Sequence, residues 1–306
     1  MGYVIDFLKK IVFSLAKESP FSLRVGGFAI TVILVLTSGF SGWLIEQLCT
    51  KASSIPTLIA HFILVVSLSS SLAYKSLNKS VLRVINYLDN DLAVKDLKKA
   101  RKELRSIVGR DVDHLSEAEI LRAAAETASE NSVDGIFGPL FWIFVGAISW
   151  KISSSLPGPL AFAWVFKASS TMDSMIGYRQ GRLKWLGTAS ARLDDILTFI
   201  PCRLVVITLP LISIKWGKIP YTIRTVFTEG RQDTSPNSGL SEAVFAHCLN
   251  IRLGGDNLYN NELINKPIFA KDSPEATCKR IRELLNLSLI LELTWAVVIA
   301  FMLYIL

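Results

Sequence analysis

The sequence has few cysteines and histidines, and their spacing excludes the common metal and disulfide scaffolds. None of the four cysteines forms a C-x-x-C pair, which argues against a zinc site or a disulfide framework. The three histidines lie far apart and form no metal-spaced pair. Phosphate-binding loops of the types G-x-x-x-x-G-K-[ST] and G-x-G-x-x-G are absent, so any nucleotide site is non-standard. No motif of a nucleic-acid-binding module occurs, and we expect no nucleic-acid partner.

Charge is also scarce, which excludes an ordinary soluble chain. Of the 306 residues, 51% are hydrophobic and only 19% are charged. The net charge of +7 suits the anionic head groups of membrane lipids or a substrate that carries phosphate. The composition therefore predicts an integral membrane protein.

Long uncharged runs locate the first membrane helices. Residues 25–45 contain no charged side chain and are long enough to cross a hydrocarbon core of about 30 Å. Residues 52–74 form a second uncharged run, and lysines and arginines are frequent after it. The positive-inside rule places that flank in the cytoplasm. We therefore expect a cytoplasmic membrane protein whose polar site faces the cytoplasm.

Later segments predict shorter or polar elements. Residues 76–131 have the pattern of a cytoplasmic helical insert. The apolar runs 135–150 and 152–166 are short for a full span and favour re-entrant or broken helices. Residues 196–214 contain two prolines, and we predict that they do not cross the bilayer or are re-entrant. Residues 215–283 are predicted to be a cytoplasmic polar loop region. The whole chain, 1–306, is predicted to be a single all-α, polytopic membrane domain.

A first polar cluster, ETASENSVDG at 126–135, lies beside an apolar run. Glu126, Glu130 and Asp134 follow one another at intervals of four and therefore share one face of a helix. Carboxylates crowded at an apolar boundary need a cation such as Arg or Mg²⁺. The alternative is a charged helix end at the membrane interface.

Two further clusters and one isolated arginine complete the candidate set. Residues 167–195 combine acidic and basic side chains that suit a nucleotide phosphate with its metal, although an interfacial loop has the same composition. The segment SPNSG at 235–239 is built from strong turn formers, which bind an anion in some proteins and only turn the chain in others. Arg203 lies within an apolar run, where it either pairs with an anion or extends to the interface.

Together, the blocks ETASENSVDGIFGPLFW, TMDSMIGYRQGRLKWLGTASARLDDILTFIPCRL and SPNSGLSEA…NIRLGG resemble the CobD/CbiB family, adenosylcobinamide-phosphate synthase of cobalamin biosynthesis. The resemblance covers residues 20–270. It implies an amide ligation that uses ATP and Mg²⁺ and joins adenosylcobyric acid to (R)-1-aminopropan-2-ol or its O-phosphate. The ATP would convert the carboxylate into an acyl phosphate, a step that needs cations around the phosphates.

The resemblance also implies roles for individual side chains. The expected metal ligands are Glu130, Asp134 and Asp194. The expected catalytic residues are Glu130, Arg192, Asp194 and Asp195. The expected contacts to nucleotide or corrinoid are Asn131, Asp173, Arg179, Arg203, Asn237 and Ser238.

The sequence departs from the family pattern at a few positions. Ser170 occupies the usual Asn position before T-L-D, Met172 replaces its Leu, and few basic residues precede SPNSG. The family usually opens with one more apolar helix, ending in D-P…H-P-V, and Met1 is expected to align after it.

Two other classes suit a helical membrane protein with polar clusters. A transporter of an anionic substrate would usually show inverted repeats, and the sequence shows none. A membrane scaffold would use the polar loops only to dock partners. Turnover of ATP that depends on substrate separates an enzyme from both.

Overall fold

A computed structural model describes residues 1–51, 56–89, 95–178, 180–213, 216–259 and 262–306. Most of these residues are helical, and five segments are long and apolar enough to cross a membrane. These segments are Pro20–Lys51, Thr57–Asn86, Glu117–Ile152, Thr188–Ser213 and Cys278–Ile305. The predicted polytopic helical membrane fold is therefore confirmed.

The chain divides into two compact units. The first comprises Met1–Leu72, Gly138–Thr198 and Val298–Leu306. The second comprises Ala73–Phe137 and Phe199–Val297.

The first unit is a bundle of apolar helices. Its helices are α1 (Gly2–Ala16), α2 (Pro20–Lys51), α3 (Thr57–Ser69), α7 (Gly138–Ile152), α8 (Pro159–Ile176), α9 (Leu183–Leu186) and the beginning of α10 (Thr188–Ser213). Ile5, Ile30, Leu34 and Met172 are buried together in its core. The outward face of α2 carries exposed side chains such as Phe28, which is the arrangement expected where lipid replaces water as the solvent.

Small residues bring α2 and α8 into close contact. A Cβ atom built on Gly42 would lie only 2.7 Å from the Cα of Ala161. A larger residue at this position would push the helices apart, which is the usual reason for glycine at the crossing of membrane helices.

Glu46 is a fully buried carboxylate on α2 that caps the start of α8. Its Oε2 accepts a hydrogen bond of 2.8 Å from the amide of Gly158, and its Oε1 accepts one of 2.6 Å from the amide of Leu160. The first amides of a helix have no partner within the helix, and they favour a negative charge. Glu46 therefore fixes the beginning of α8 after Pro157, although it lies more than a hundred residues earlier in the chain.

The second unit contains the remaining helices and a small sheet. The helices are α4 (Tyr74–Asn86), α5 (Leu97–Arg105), α6 (Glu117–Ser132), the rest of α10, α11 (Ile219–Gly230), α12 (Ser238–Leu249) and most of α13 (Cys278–Ile305), with a π-helical turn at Val133–Phe137 and a 3₁₀ turn at Trp216–Lys218. Strands β1 (Leu253–Tyr259) and β2 (Glu262–Phe269) pair antiparallel. Helix α12 is buried on nearly all sides by α6, α11 and the two strands.

The second unit corrects the expectation of a polar loop region at 215–283. Residues 215–283 are not mainly loops, because α11, α12 and the hairpin occupy most of the described part. The hairpin was missed because its strand β1 begins with Gly254 and Gly255, which adopt φ values of +81° and +94° beside a β-bulge.

The observed helices α6, α7 and α8 agree with the predicted segments in part. Within 76–131 the described residues form helices, and the predicted capping box of Ser116 and Glu119 opens α6. The first short apolar run is not an isolated helix, since α6 continues through Val133–Phe137 into α7. The second run forms the separate helix α8.

Helix α10 is unbroken despite its prolines. Pro201 and Pro210 both lie inside the helix, so the predicted re-entrant break is wrong. That this segment does not cross the bilayer stays a prediction.

Candidate active site: carboxylates around Lys266

Lys266 on β2 reaches a group of carboxylates in the second unit. Its Nζ lies 3.2 Å from Oε1 of Glu242, which projects from the buried helix α12. The Glu242 side chain is only 1% exposed and the Lys266 side chain 23% exposed. A buried carboxylate is rare in a helix that is otherwise apolar, because a lone buried charge is strongly destabilising unless a partner compensates it.

Two more carboxylates act on the same lysine. Burial alone would lower the pKa of Lys266, but the charges of Glu242, Glu130 and Asp233 outweigh burial and raise that pKa. Lys266 is therefore a permanent ammonium at neutral pH. The three carboxylates come from α6, α12 and the segment between α11 and α12.

Glu242 has a strongly altered acidity. Burial raises the pKa of Glu242 to about 8, the charge of Lys266 opposes this rise, and the carboxylates of Glu126, Glu130 and Asp233 add to it. Near neutral pH this side chain therefore exchanges a proton within a shielded site. A group of this kind suits general acid–base chemistry.

Glu126 belongs to a separate, structural network. Its Oε2 accepts a short hydrogen bond from Arg110, and its Oε1 accepts one of 2.8 Å from the amide of Gly254. The side chains of Arg110 and Glu126 are 6% and 5% exposed. Arg110 also donates to Asn257, so the network ties the start of α6 to strand β1. Glu126 is neutralised within the protein.

Glu130 lies one turn further along α6, and its surroundings differ. No ion pair shorter than 4 Å joins it to another side chain in the described ranges, and the cation with the largest electrostatic influence on it is Lys266. Two carboxylates of one helix face thus have different roles: Glu126 anchors the hairpin, and Glu130 contributes negative charge to the group around Lys266.

The SPNSG turn presents Asp233 to this group. Oδ1 of Asp233 accepts a hydrogen bond of 2.9 Å from the amide of Ser235 and a longer one from Oγ of Ser238. Its Oδ2 is buried and has no hydrogen-bond partner among the described residues. The turn therefore orients Asp233 and starts α12 at the same time.

Arg203 holds this turn from α10. Its Nη1 donates a hydrogen bond of 2.8 Å to Oδ1 of Asn237, its Nη2 donates one of 3.1 Å to the carbonyl of Pro236, and its guanidinium lies over the ring of Phe199. These contacts fix Arg203 within the second unit, and its predicted contact to nucleotide or corrinoid stays a prediction.

Comparison with known proteins identifies the family. The profile described as "CobD/Cbib protein" matches residues 1–288. This chain belongs to the CobD/CbiB family. It is 39% identical to the cobalamin biosynthesis protein CobD of Synechocystis sp. over 283 residues, which cover 92% of this chain and 78% of that protein. No solved structure matches the chain.

Two other relatives support the assignment. The chain is 34% identical to the cobalamin biosynthesis protein CobD of Clostridium acetobutylicum, over 90% of this chain and 81% of that protein. It is 34% identical to the cobalamin biosynthesis protein CbiB of Salmonella typhi, over 87% of this chain and 78% of that protein. A role in cobalamin biosynthesis follows from this membership.

The second unit contains six of the eleven residues that the resemblance nominated. They are Glu130, Asn131, Asp134, Arg203, Asn237 and Ser238. Asn131 is exposed and donates a local hydrogen bond of 2.9 Å to the carbonyl of Thr127. Asp134 is half-buried in the π-helical turn. Asn237 and Ser238 are buried where α12 begins.

The first unit contains the other nominated residues. Asp173 on α8 is half-buried, and on α10 Asp194 is buried, Asp195 half-buried and Arg192 exposed. Arg179 lies outside the described residues. The roles of these residues stay predictions.

Sequence reasoning missed the centre of the second-unit group. Glu242 could have been found, because it is the single carboxylate within the otherwise apolar stretch of α12. Lys266 gives no local signal, since it comes from a polar segment whose hairpin was not predicted. Glu242 lies within the quoted block SPNSGLSEA, and Asp233 lies just before that block, but neither was selected.

The described carboxylates suit a magnesium ion that arrives with a nucleotide. No group of three or more His, Cys, Asp or Glu in the described ranges is placed to hold a metal ion by itself. Mg²⁺ usually needs only one or two protein carboxylates when substrate phosphates complete its shell. The residues therefore fit Mg²⁺ carried by ATP better than a resident metal. The predicted ligands Glu130, Asp134 and Asp194 stay a prediction.

Proposed function

We propose that this protein joins adenosylcobyric acid to (R)-1-aminopropan-2-ol or its O-phosphate, using ATP and Mg²⁺, to form adenosylcobinamide or its phosphate. The proposal is supported by membership of the CobD/CbiB family and by similarity to proteins named for cobalamin biosynthesis. It places the protein in the cytoplasmic membrane with its polar residues on the cytoplasmic side, where ATP is available.

The observation that carries the proposed chemistry is the group of Glu130, Asp233 and Glu242 around Lys266. Amide formation from a carboxylate requires a leaving group and a neutral amine. Transfer of the terminal phosphoryl group of ATP to the corrinoid carboxylate would give an acyl phosphate and ADP. The amine then forms the C–N bond while the C–O bond to phosphate breaks.

The charges of the group suit the second half of this reaction. Its carboxylates attract an ammonium, and Glu242 exchanges a proton near neutral pH because its pKa is raised to about 8. Lys266 stabilises the group as a fixed positive charge.

The test is a reconstituted reaction. Purified protein in detergent or lipid nanodiscs is mixed with adenosylcobyric acid, ATP, Mg²⁺ and each amine in turn, and the amide is detected by mass spectrometry. We expect a product that requires ATP and one of the amines. The proposal is wrong if neither amine gives a product and the rate of ATP hydrolysis is the same with and without adenosylcobyric acid.

A further inference from the structure

We infer that the carboxylates of Glu130, Asp233 and Glu242 bind the primary ammonium group of the amino-alcohol substrate, and that Glu242 takes its proton before the amine attacks. This inference rests on the proposed function and assigns residues to its amine step.

With its three carboxylates ionised, the group would have more negative charge than its lysine can balance, and this excess contributes to the raised pKa of Glu242. Three carboxylates share one ammonium, Lys266, since Arg110 is engaged by the separate carboxylate of Glu126. A further positive charge of one unit would bring the group closer to neutrality. Arg122, which lies beside the network of Arg110 and Glu126, donates to the carbonyl of Asp256 and to the side chain of Asn257, both on β1. These contacts direct it toward the hairpin.

Two carboxylate oxygens in the group have no partner in the described structure. Oε2 of Glu242 and Oδ2 of Asp233 are both buried without a hydrogen bond from any described residue. Buried acceptors are almost always satisfied, and each unsatisfied one lowers stability. Because Oε1 of Glu242 already contacts Lys266, a donor brought by a ligand would complete the carboxylate.

A primary ammonium fits these acceptors better than a divalent metal. It carries three N–H donors and a single charge, as a lysine side chain does. A metal ion held by the protein alone would need a set of ligands that the described His, Cys, Asp and Glu residues do not provide. Mg²⁺ bound to ATP has phosphate oxygens to complete its shell and does not require these three carboxylates together. A metal ion here would also meet the positive charge of Lys266, which is next to Glu242. The occupant we assign is therefore the amine of the substrate.

The surroundings of Glu242 suit proton transfer at its Oε2. The charged groups that act on it are Glu126 and Glu130 on α6, Asp233 after α11 and Lys266 on β2, and Tyr259 on β1 acts on Lys266. Burial first, and then the neighbouring carboxylates, raise the pKa of Glu242 to about 8 against the influence of Lys266. A base of that strength works near the pH of the cytoplasm.

The step balances in atoms and charge. The substrate R–NH₃⁺ gives one proton to Oε2 of Glu242 and becomes R–NH₂. Its lone pair attacks the acyl phosphate, the C–N bond forms and the C–O bond breaks. The second proton of the nitrogen leaves with the phosphate as HPO₄²⁻. Glu242 then releases its proton to solvent, and the net products are the amide, HPO₄²⁻ and one H⁺.

The experiment separates acyl phosphate formation from amine attack. Hydroxylamine is neutral at neutral pH, so it traps the acyl phosphate as a hydroxamate without a base that first removes a proton. Native protein and Glu242→Gln receive adenosylcobyric acid, ATP and Mg²⁺, with either hydroxylamine or the amino alcohol. Glu229→Gln is the matched control, because Glu229 is also a helix carboxylate that contacts a side-chain nitrogen, Nε2 of His247, at 2.8 Å.

We expect Glu242→Gln to make hydroxamate within about twofold of the native rate and to form the amide about 100-fold more slowly, the usual size of a lost general base. Glu229→Gln should keep both rates. In the native protein, amide formation should decline as the pH falls below the pKa of Glu242, and in Glu242→Gln this decline should disappear.

Other outcomes overturn the inference in distinguishable ways. If the native protein makes no hydroxamate and no amide, the proposed function is wrong and the inference fails with it. If Glu242→Gln reduces both products equally, or neither, only the inference is wrong. Should Glu242→Gln fail to fold, Glu130→Gln replaces it, with an expected increase of about tenfold in the KM of the amine and little change in hydroxamate formation. An unchanged KM in Glu130→Gln would overturn the inference as well.

Discussion

The stability of the second unit should depend on pH through Glu242. Its pKa is about 8 in the folded protein, because the side chain is buried near other carboxylates, against an ordinary value of 4.5. A group whose pKa is raised by folding stabilises fully below the lower value, and this contribution is lost as the pH rises through the higher one. The free energy of unfolding should therefore fall between pH 5 and pH 8.5.

The size of this effect follows from the shift. Each pKa unit corresponds to about 1.4 kcal/mol, so the whole shift from 4.5 to about 8 is worth on the order of 5 kcal/mol. Between pH 6 and pH 8 the loss should be roughly 2 kcal/mol, which lowers the apparent Tm of a unit of this size by about 4–8 °C. The substitution Glu242→Gln keeps the shape of the side chain and removes its titration, so the variant should lose this dependence.

Tryptophan fluorescence during heating, in detergent buffered from pH 5 to pH 9, measures the effect. Glu262→Gln is the control, because Glu262 lies exposed on the same strand as Lys266 and its replacement should leave the pH dependence as it is. The reasoning would be refuted if Glu242→Gln kept the native slope, or if the native protein became more stable between pH 6 and pH 8.

Three substitutions test the packing that supports these sites. Glu46→Ala removes the acceptor of the first amides of α8 and should destabilise the first unit by about 3 kcal/mol, measured as a lower apparent Tm, whereas Glu46→Gln should lose less. Arg110→Met leaves Glu126 buried without its partner and should cost roughly 3–5 kcal/mol in chemical unfolding; an unaltered midpoint would contradict the role of that pair. Gly42→Val forces its Cβ against Ala161 and should lower the yield of folded protein in size-exclusion chromatography, while a native elution profile would show that the helices adjust.

Local patterns in the sequence predicted local structure well. The uncharged run 25–45 lies within the helix Pro20–Lys51, since length and apolarity alone decide whether a helix suits a bilayer. The capping box of Ser116 and Glu119 was predicted because its two hydrogen bonds join residues only three apart.

Contacts between distant segments could not be read in the same way. Glu46 and Gly158 are separated by 112 residues, and Glu126 and Gly254 by 128. The sequence showed that Glu126 and Glu130 share a face, but not that Arg110 would neutralise one of them. The identity of a buried partner depends on the complete fold, so Lys266 and Glu242 emerged only from the structure.

The hairpin that carries Lys266 is small, and its size affects which part of the protein unfolds first on heating. Two strands alone are barely stable in water. Here the hairpin is tied to the rest of its unit by the bonds of Arg110 to Asn257 and of the Asp111 amide to the carbonyl of Leu258, the latter at 2.9 Å. Because two strands add little stability of their own, moderate heating should detach the hairpin from its unit before the helices unfold. Separation of Lys266 from its carboxylates would then precede bulk denaturation, and cooling would restore their contact.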